Sequence, residues 1–343
     1  MAYDALDRLL SAASPMFGNN TTGTATFSYD ALDNLTNLAM PATNTSPARN
    51  QFYCYDANWR LASLRDAAGC AGTAQVNLTW DAQGNLASKG SQAFAFGKNN
   101  RLYAAPAQGE VYRYDAQGHR VLQNAAAGNI LSQYARDGQL LQVTNVRSGF
   151  TSSYVSLGGS LVAVRKKALS GGAITVEYQH TDALGTPVAA TDANRNVIER
   201  GEYEPYGQLI NRPITDGPGF TGHVQDALTG LTYMQQRYFD PMIGRFLSVD
   251  PVTALDDPVA LFNRYSYAGN NPVNATDPDG RRCVVANASS VYCMRRDIYR
   301  HYDRKVAGST RFFGAAAATV EYLANADILV LGSLGGSSEA RQV

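Results

Sequence analysis

Asp-Pro occurs four times between Gln236 and Gly280, at Asp240, Asp250, Asp257 and Asp277, and Arg237 opens the same stretch. Two carboxyl groups brought together away from water cannot both stay ionised. One keeps a proton and serves as an acid while the other activates water, and a guanidinium close by orients the pair. Arg237, Asp250 and Asp277 are the candidates for that chemistry, which is hydrolysis of the aspartic-protease kind. The plainer reading stands beside it: Asp-Pro shapes turns, and Asp240 and Asp257 are assigned to that role alone. His180 with Asp182 has no nucleophile placed near it and reads as a polar strand end. Cys54/Cys70 and Cys283/Cys293 lack metal-site spacing and a nearby His, so neither a zinc site nor any other metal or cofactor is expected. Either pair can bridge a hairpin in an oxidising compartment.

The elements that must position these residues announce themselves by repetition. Tyr3-Asp4-Ala5-Leu6-Asp7-Arg8-Leu9 returns as Tyr29-Asp30-Ala31-Leu32-Asp33-Asn34-Leu35. It returns again from Tyr55 to Leu61, from Trp80 to Leu86 and from Tyr114 to Val121, with weaker copies at Phe96–Leu102 and Tyr134–Leu140. In each, an aromatic ends one strand and Asp accepts bonds from backbone N–H groups ahead. A residue tolerant of positive φ follows, and Leu starts the return strand. The stretches 24–29 and 76–80 alternate as half-buried strands do. The Asp density of an EF-hand loop is absent, so Asp4, Asp30, Asp56, Asp81 and Asp115 are turn formers, not calcium ligands.

The bulk composition agrees. Of 343 residues only 17% are charged, 29 basic balancing 29 acidic, while Gly (31) and Tyr (20) abound. Such a chain suits short strands and tight turns, and no net field draws it to nucleic acid or anionic membranes. The apolar run from Phe312 to Leu331 is interrupted by Glu321, Asn325 and Asp327, which argues against a membrane span. No signal peptide is legible, and a chain that opens inside a repeat reads as the C-terminal portion of something longer.

Beyond residue 153 the hairpins continue without the strict phrase. Asp182-Ala183-Leu184-Gly185-Thr186-Pro187, Tyr203-Glu204-Pro205-Tyr206-Gly207, Thr229-Gly230-Leu231, Arg237-Tyr238-Phe239-Asp240-Pro241, Gly244-Arg245-Phe246 and Asn270-Asn271-Pro272 then follow in order. The repeats resemble the tyrosine/aspartate (YD) repeats of rearrangement-hotspot (RHS) proteins, found also in teneurins and insecticidal toxin-complex C subunits. The later motifs resemble the RHS repeat-associated core. The resemblance covers roughly residues 1–280. It implies an all-β spiral of stacked hairpins, an open or partial shell at this length, with an inward-turning core plug. Its divisions would be a YD/RHS repeat region (1–153), the core domain (154–280) and a variable C-terminal tail (281–343) that is partly helical by composition and reads as a truncated toxin cargo.

The resemblance further implies the C-terminal part of a polymorphic toxin, secreted or on the cell surface of a bacterium and exported by a specialised system. Its partners would be its own tail as cargo, a secretion-system spike or adaptor, and an immunity protein. In this family a similar Arg and two Asp cut the chain in cis just after Asp-Pro-x-Gly-Leu. Those roles fall on Arg237, Asp250 and Asp277, with the cut near Gly280, Arg281 and Arg282. Arg281 stands where the family has Leu, and an Arg does not fill an apolar pocket cheaply; Val252-Thr253-Ala254 also departs from the pattern after Asp250-Pro251. The competing reading is a surface adhesion or carbohydrate-binding protein whose exposed aromatics form stacking platforms. The basic segment containing His301 and Asp303 reads as a solvated helix face ahead of a nuclease.

Overall fold

A computed structural model of the chain describes residues 1–17, 22–252, 262–281 and 283–285. Among these there is no α-helix, only strands and four short 3-10 turns. The strands pair strictly with their sequence neighbours. A nine-stranded antiparallel sheet runs from Ala2–Tyr3 to Gln92–Ala93, and an eleven-stranded one from Ala95–Phe96 to Val197–Arg200, passing residue 153 without interruption. A five-stranded sheet follows, from Gly217–Pro218 to Arg245–Phe246, and Ala275–Thr276 pairs with Val284–Val285.

The repeated phrase is one turn. Asp30 N–H donates to Asn34 O (2.9 Å), and its Oδ1 accepts the N–H groups of Leu32 (2.8 Å) and Asn34 (2.9 Å). Its Oδ2 accepts the Asn34 amide (3.0 Å). The same set recurs at Asp56 with Arg60, Asp81 with Asn85 and Asp192 with Asn196. The fifth residue of each phrase has positive φ (Asp33 58°, Gly84 83°, Gly118 89°, Gly138 88°), and the ladder slips by one beside the aromatic. This is a type I turn closed by a bulge, which fits the right-handed twist of a hairpin. The turn continues past the recognisable phrase: Asp182 and Asp192 staple it with Thr where the earlier copies carry an aromatic. Trp59 (φ 60°) and Arg195 (φ 69°) take the position expected to hold Gly, Asn or Asp.

Aromatic and Leu of the phrase serve adjacent copies. Tyr29 Oη donates to Leu9 O (2.9 Å), Tyr55 Oη to Leu35 O (2.8 Å), and Trp80 Nε1 to Leu61 O (2.8 Å). The Leu side chains are buried in one continuous core. Each hairpin therefore lacks a complete core until its neighbour stacks on it. Cys54 and Cys70 form a disulfide that brackets the third return strand.

Residues 217–252 and 262–276 pack on the core-facing side of this wall as an inward-turned plug. All of Thr232–Met234 and Arg237–Asp240 is buried. Plug residues address successive hairpins. Asn274 donates to Tyr3 Oη (2.8 Å), Arg245 to Tyr55 Oη (2.6 Å), Tyr265 Oη to Gly84 O (2.8 Å), and Arg120 N–H to Tyr233 Oη (2.8 Å). Buried Arg120 also forms an ion pair with Asp226 beneath the rings of Tyr112, Tyr233 and Tyr238. Asp240, assigned to a turn, is buried and pairs with Lys89, while its Oδ1 accepts Met242 N–H (2.9 Å). Asp257, Arg282, Cys293 and the tail from 286 onward, with His301 and Asp303, lie outside the described residues.

Candidate active site

Arg237 begins the fourth strand of the plug sheet and is 3% exposed. A buried guanidinium must find acceptors for its fork of donors, and the surrounding loops supply them. Its Nη2 lies 2.7 Å from Asp250 Oδ2 and 3.0 Å from Asp277 Oδ2, so one nitrogen joins both candidate carboxyls. Its Nε donates to Gly280 O, and its Nη1 to Arg264 O (3.2 Å). The guanidinium carbon sits 3.6 Å from the ring centre of Phe246, which covers its flat side. Asp250 and Asp277 are 5% and 2% exposed. Sequence reasoning named Arg237, Asp250 and Asp277, and the fold brings all three together.

Two turns aim the carboxyls. Asp250 Oδ1 accepts Val252 N–H (2.8 Å), and Asp250 N–H donates to Arg264 O (3.1 Å). Asp277 Oδ1 accepts Arg281 N–H (2.9 Å), which Asp279 Oδ1 also reaches (3.1 Å). Gly280 (φ 74°) is pressed against the turn between two plug strands. A Cβ there would lie 2.2 Å from Met234 O and 3.0 Å from Arg237 N. His223, 9% exposed, donates from Nε2 to Asp277 O (2.9 Å).

Burial is the strongest influence on Asp250 and pushes its carboxyl up to about 6, although Arg237 pulls the other way. Burial likewise moves Arg237 down from its ordinary value against the pull of Asp277 and Asp250. Both partners are thus pressed toward neutrality by the same dry surroundings. Asp279 is raised by burial and by Asp277, and burial lowers His223, leaving its imidazole neutral near pH 7. The arrangement can hold a proton on Asp250 up to about pH 6 while a guanidinium grips a peptide carbonyl, the requirement for acid–base attack on an amide.

His223, Arg264, Phe246 and Asp279 were not singled out by the sequence. His223 and Asp277 are 54 residues apart, and no local spacing links them. Asp279, inside Asp-Pro-Asp-Gly, and Phe246, inside Gly244-Arg245-Phe246, carried a local signal but no assigned role. Gly280 and Arg281 lie where the cut was expected; Arg281 is exposed. Among the described tyrosines Tyr103 and Tyr178 are the exposed ones, the rest being buried or half-buried. An open hollow of about 490 Å³, lined by Tyr103, Arg113, Asn99 and Gln117 among others, shares no residue with the Arg237 cluster. No group of His, Cys, Asp or Glu among the described residues could hold a metal ion, and none of their helices is long and apolar enough to cross a membrane.

The family model described as Teneurin YD-shell matches residues 1–273. The tRNA3(Ser)-specific nuclease WapA of Bacillus spizizenii is 29% identical over 227 residues, covering 62% of this chain and 9% of that protein. Teneurin-1 of Gallus gallus is 31% identical over 227 residues, 61% of this chain and 8% of that protein. The chain spans less than a tenth of the length of these relatives. Among solved structures, the crystal structure of TcdB2-TccC3-Cdc42 covers 82% of this chain and 17% of its own, with TM-score 0.52 and 20% identity. TcdB2-TccC3 without its hypervariable C-terminal region covers 81% and 16%, with TM-score 0.50 and 20% identity. At that identity the likeness is one of fold.

Proposed function

The chain belongs to the Teneurin YD-shell family, and from that premise we propose that it is the closing end of an RHS-type toxin shell that cuts itself behind the plug and frees the segment that follows as cargo. The single observation that carries this reading is Arg237 joining Asp250, Asp277 and the Gly280 carbonyl at one buried point. A plug that needed only turns would not gather two carboxyls around one guanidinium, because each desolvated charge costs several kcal/mol before pairing returns it. The resemblance to a tRNA nuclease supports a toxic cargo. The proposal also includes a spike or adaptor for export and an immunity protein as partners. Export to a bacterial surface or beyond belongs to the same proposal.

The test is intact-mass analysis of purified wild-type and Asp250→Asn chains. The wild type should yield a fragment boundary beside Gly280, and Asp250→Asn only full-length chain. Full-length mass in both would remove the protease and leave the shell. A second reading, adhesion through carbohydrate, has the Tyr103 hollow in its favour. It predicts glycan-array binding that Tyr103→Ala abolishes.

A further inference from the structure

Resting on the self-cleavage reading above, we infer that the bond hydrolysed is Gly280–Arg281, one residue earlier than the family's pattern gives, because this peptide unit is held at both ends by the cluster. Its carbonyl oxygen accepts from Arg237 Nε, and its N–H donates to Asp277 Oδ1 at 2.9 Å. Negative charge develops on that oxygen as water adds, so a fixed guanidinium there lowers the barrier. The carboxyl that accepts this N–H stays within reach of the nitrogen as it pyramidalises, and the carboxyl pair can then return the proton to the lone pair of the leaving amine. Water adds to the Gly280 carbonyl carbon, giving its proton to the carboxyl pair. The C–N bond then breaks, Gly280 keeps the hydroxyl as a new carboxyl, and Arg281 N takes the proton as a free amine.

The site is a modified copy of the wall's own turn. Asp277 Oδ1 accepts the N–H of the residue four on, and the residue between, Gly280, has positive φ, as Asp30, Asn34 and Asp33 show in the second hairpin. In that hairpin Oδ2 is occupied by the amide of Asn34. In the plug Oδ2 turns instead to Arg237, which brings Asp250 with it. One difference of partner places a second carboxyl beside an ordinary turn peptide. The Arg281 side chain is exposed, so main-chain atoms alone select the bond and the substitution of Arg for Leu meets no desolvation penalty.

The experiment is N-terminal sequencing and intact mass of the released fragment from the full wild-type chain and from Arg281→Leu. The inference expects a fragment beginning at position 281 in both, heavier by one residue than one beginning at 282. A fragment beginning at 282 in either would overturn the choice of bond and leave self-cleavage standing. Absence of any fragment in both proteins would overturn both claims.

Discussion

Arg8 and Arg237 each bridge two aspartates, yet their surroundings give opposite chemistry. Arg8 pairs with Asp4 (2.7 Å) and Asp33 (2.8 Å) at the partly exposed wall edge. Burial is the largest influence on Asp4 and pushes it up, but bonds from Arg8 and Leu6 outweigh it and leave the carboxyl below its ordinary value. At Arg237 the desolvation wins, and Asp250 rises from 3.8 to about 6. A group raised on folding favours the folded state fully below its unfolded value and loses that contribution as pH climbs through the folded one. Asp250, facing Arg237, Asp277 and Arg264, should therefore weaken the fold between pH 3.8 and about 6, by no more than about 3 kcal/mol at 1.36 kcal/mol per unit. Denaturant titrations at several pH values should show this slope in wild type and a flatter profile in Asp250→Asn. Cleavage needs one protonated carboxyl, so its rate should fall as pH rises above about 6. Arg237→Met leaves two carboxyls without their cation and should cost roughly 3–5 kcal/mol in unfolding free energy. Asp-Pro punctuation made Arg237, Asp250 and Asp277 legible in the sequence. His223 was not legible, because its contact is made to a backbone carbonyl 54 residues away.

Each hairpin is an Asp-stapled turn, and the staple has a measurable worth. Asp30→Ala removes the acceptor of two N–H groups and one amide. Chemical denaturation should register a loss of about 1–3 kcal/mol. Trp59 holds positive φ at 60° while 60% exposed, so its ring gains little burial for the backbone strain. Trp59→Gly should raise stability by about 1 kcal/mol, read as a higher denaturation midpoint. These turns were readable because Asp and a residue of positive φ recur at fixed offsets. The turns at Asp182 and Asp192 were legible as hairpins but not as copies of the strict phrase, since Thr181 and Thr191 replace the aromatic, which is the part a turn does not require. The aromatic's task is stacking: Tyr55 reaches Leu35 O, and no local pattern states which copy it will meet.

Across the whole molecule, wall order follows chain order, which is why the sheets were foreseeable and their fit to the plug was not. Tyr29 meets Tyr206 at 2.9 Å across 177 positions, and Leu86 N–H donates to Leu247 O (2.7 Å). Such pairs depend on how far the ribbon curves, a sum of small twists that no segment encodes alone. The disulfide Cys54–Cys70 closes a loop of 16 positions within the wall. Reduction should lower stability by about 3 kcal/mol on the chain-entropy estimate, seen as a shifted melting curve. Because the Gly280 carbonyl is held in a buried contact by the same chain's Arg237, cleavage should be unimolecular. The most direct measurement refolds wild-type chain from denaturant at widely spaced protein concentrations and follows the cleaved fraction with time. One half-time at every dilution is the predicted result; a half-time that lengthens with dilution, or no cleavage at any concentration, would contradict it.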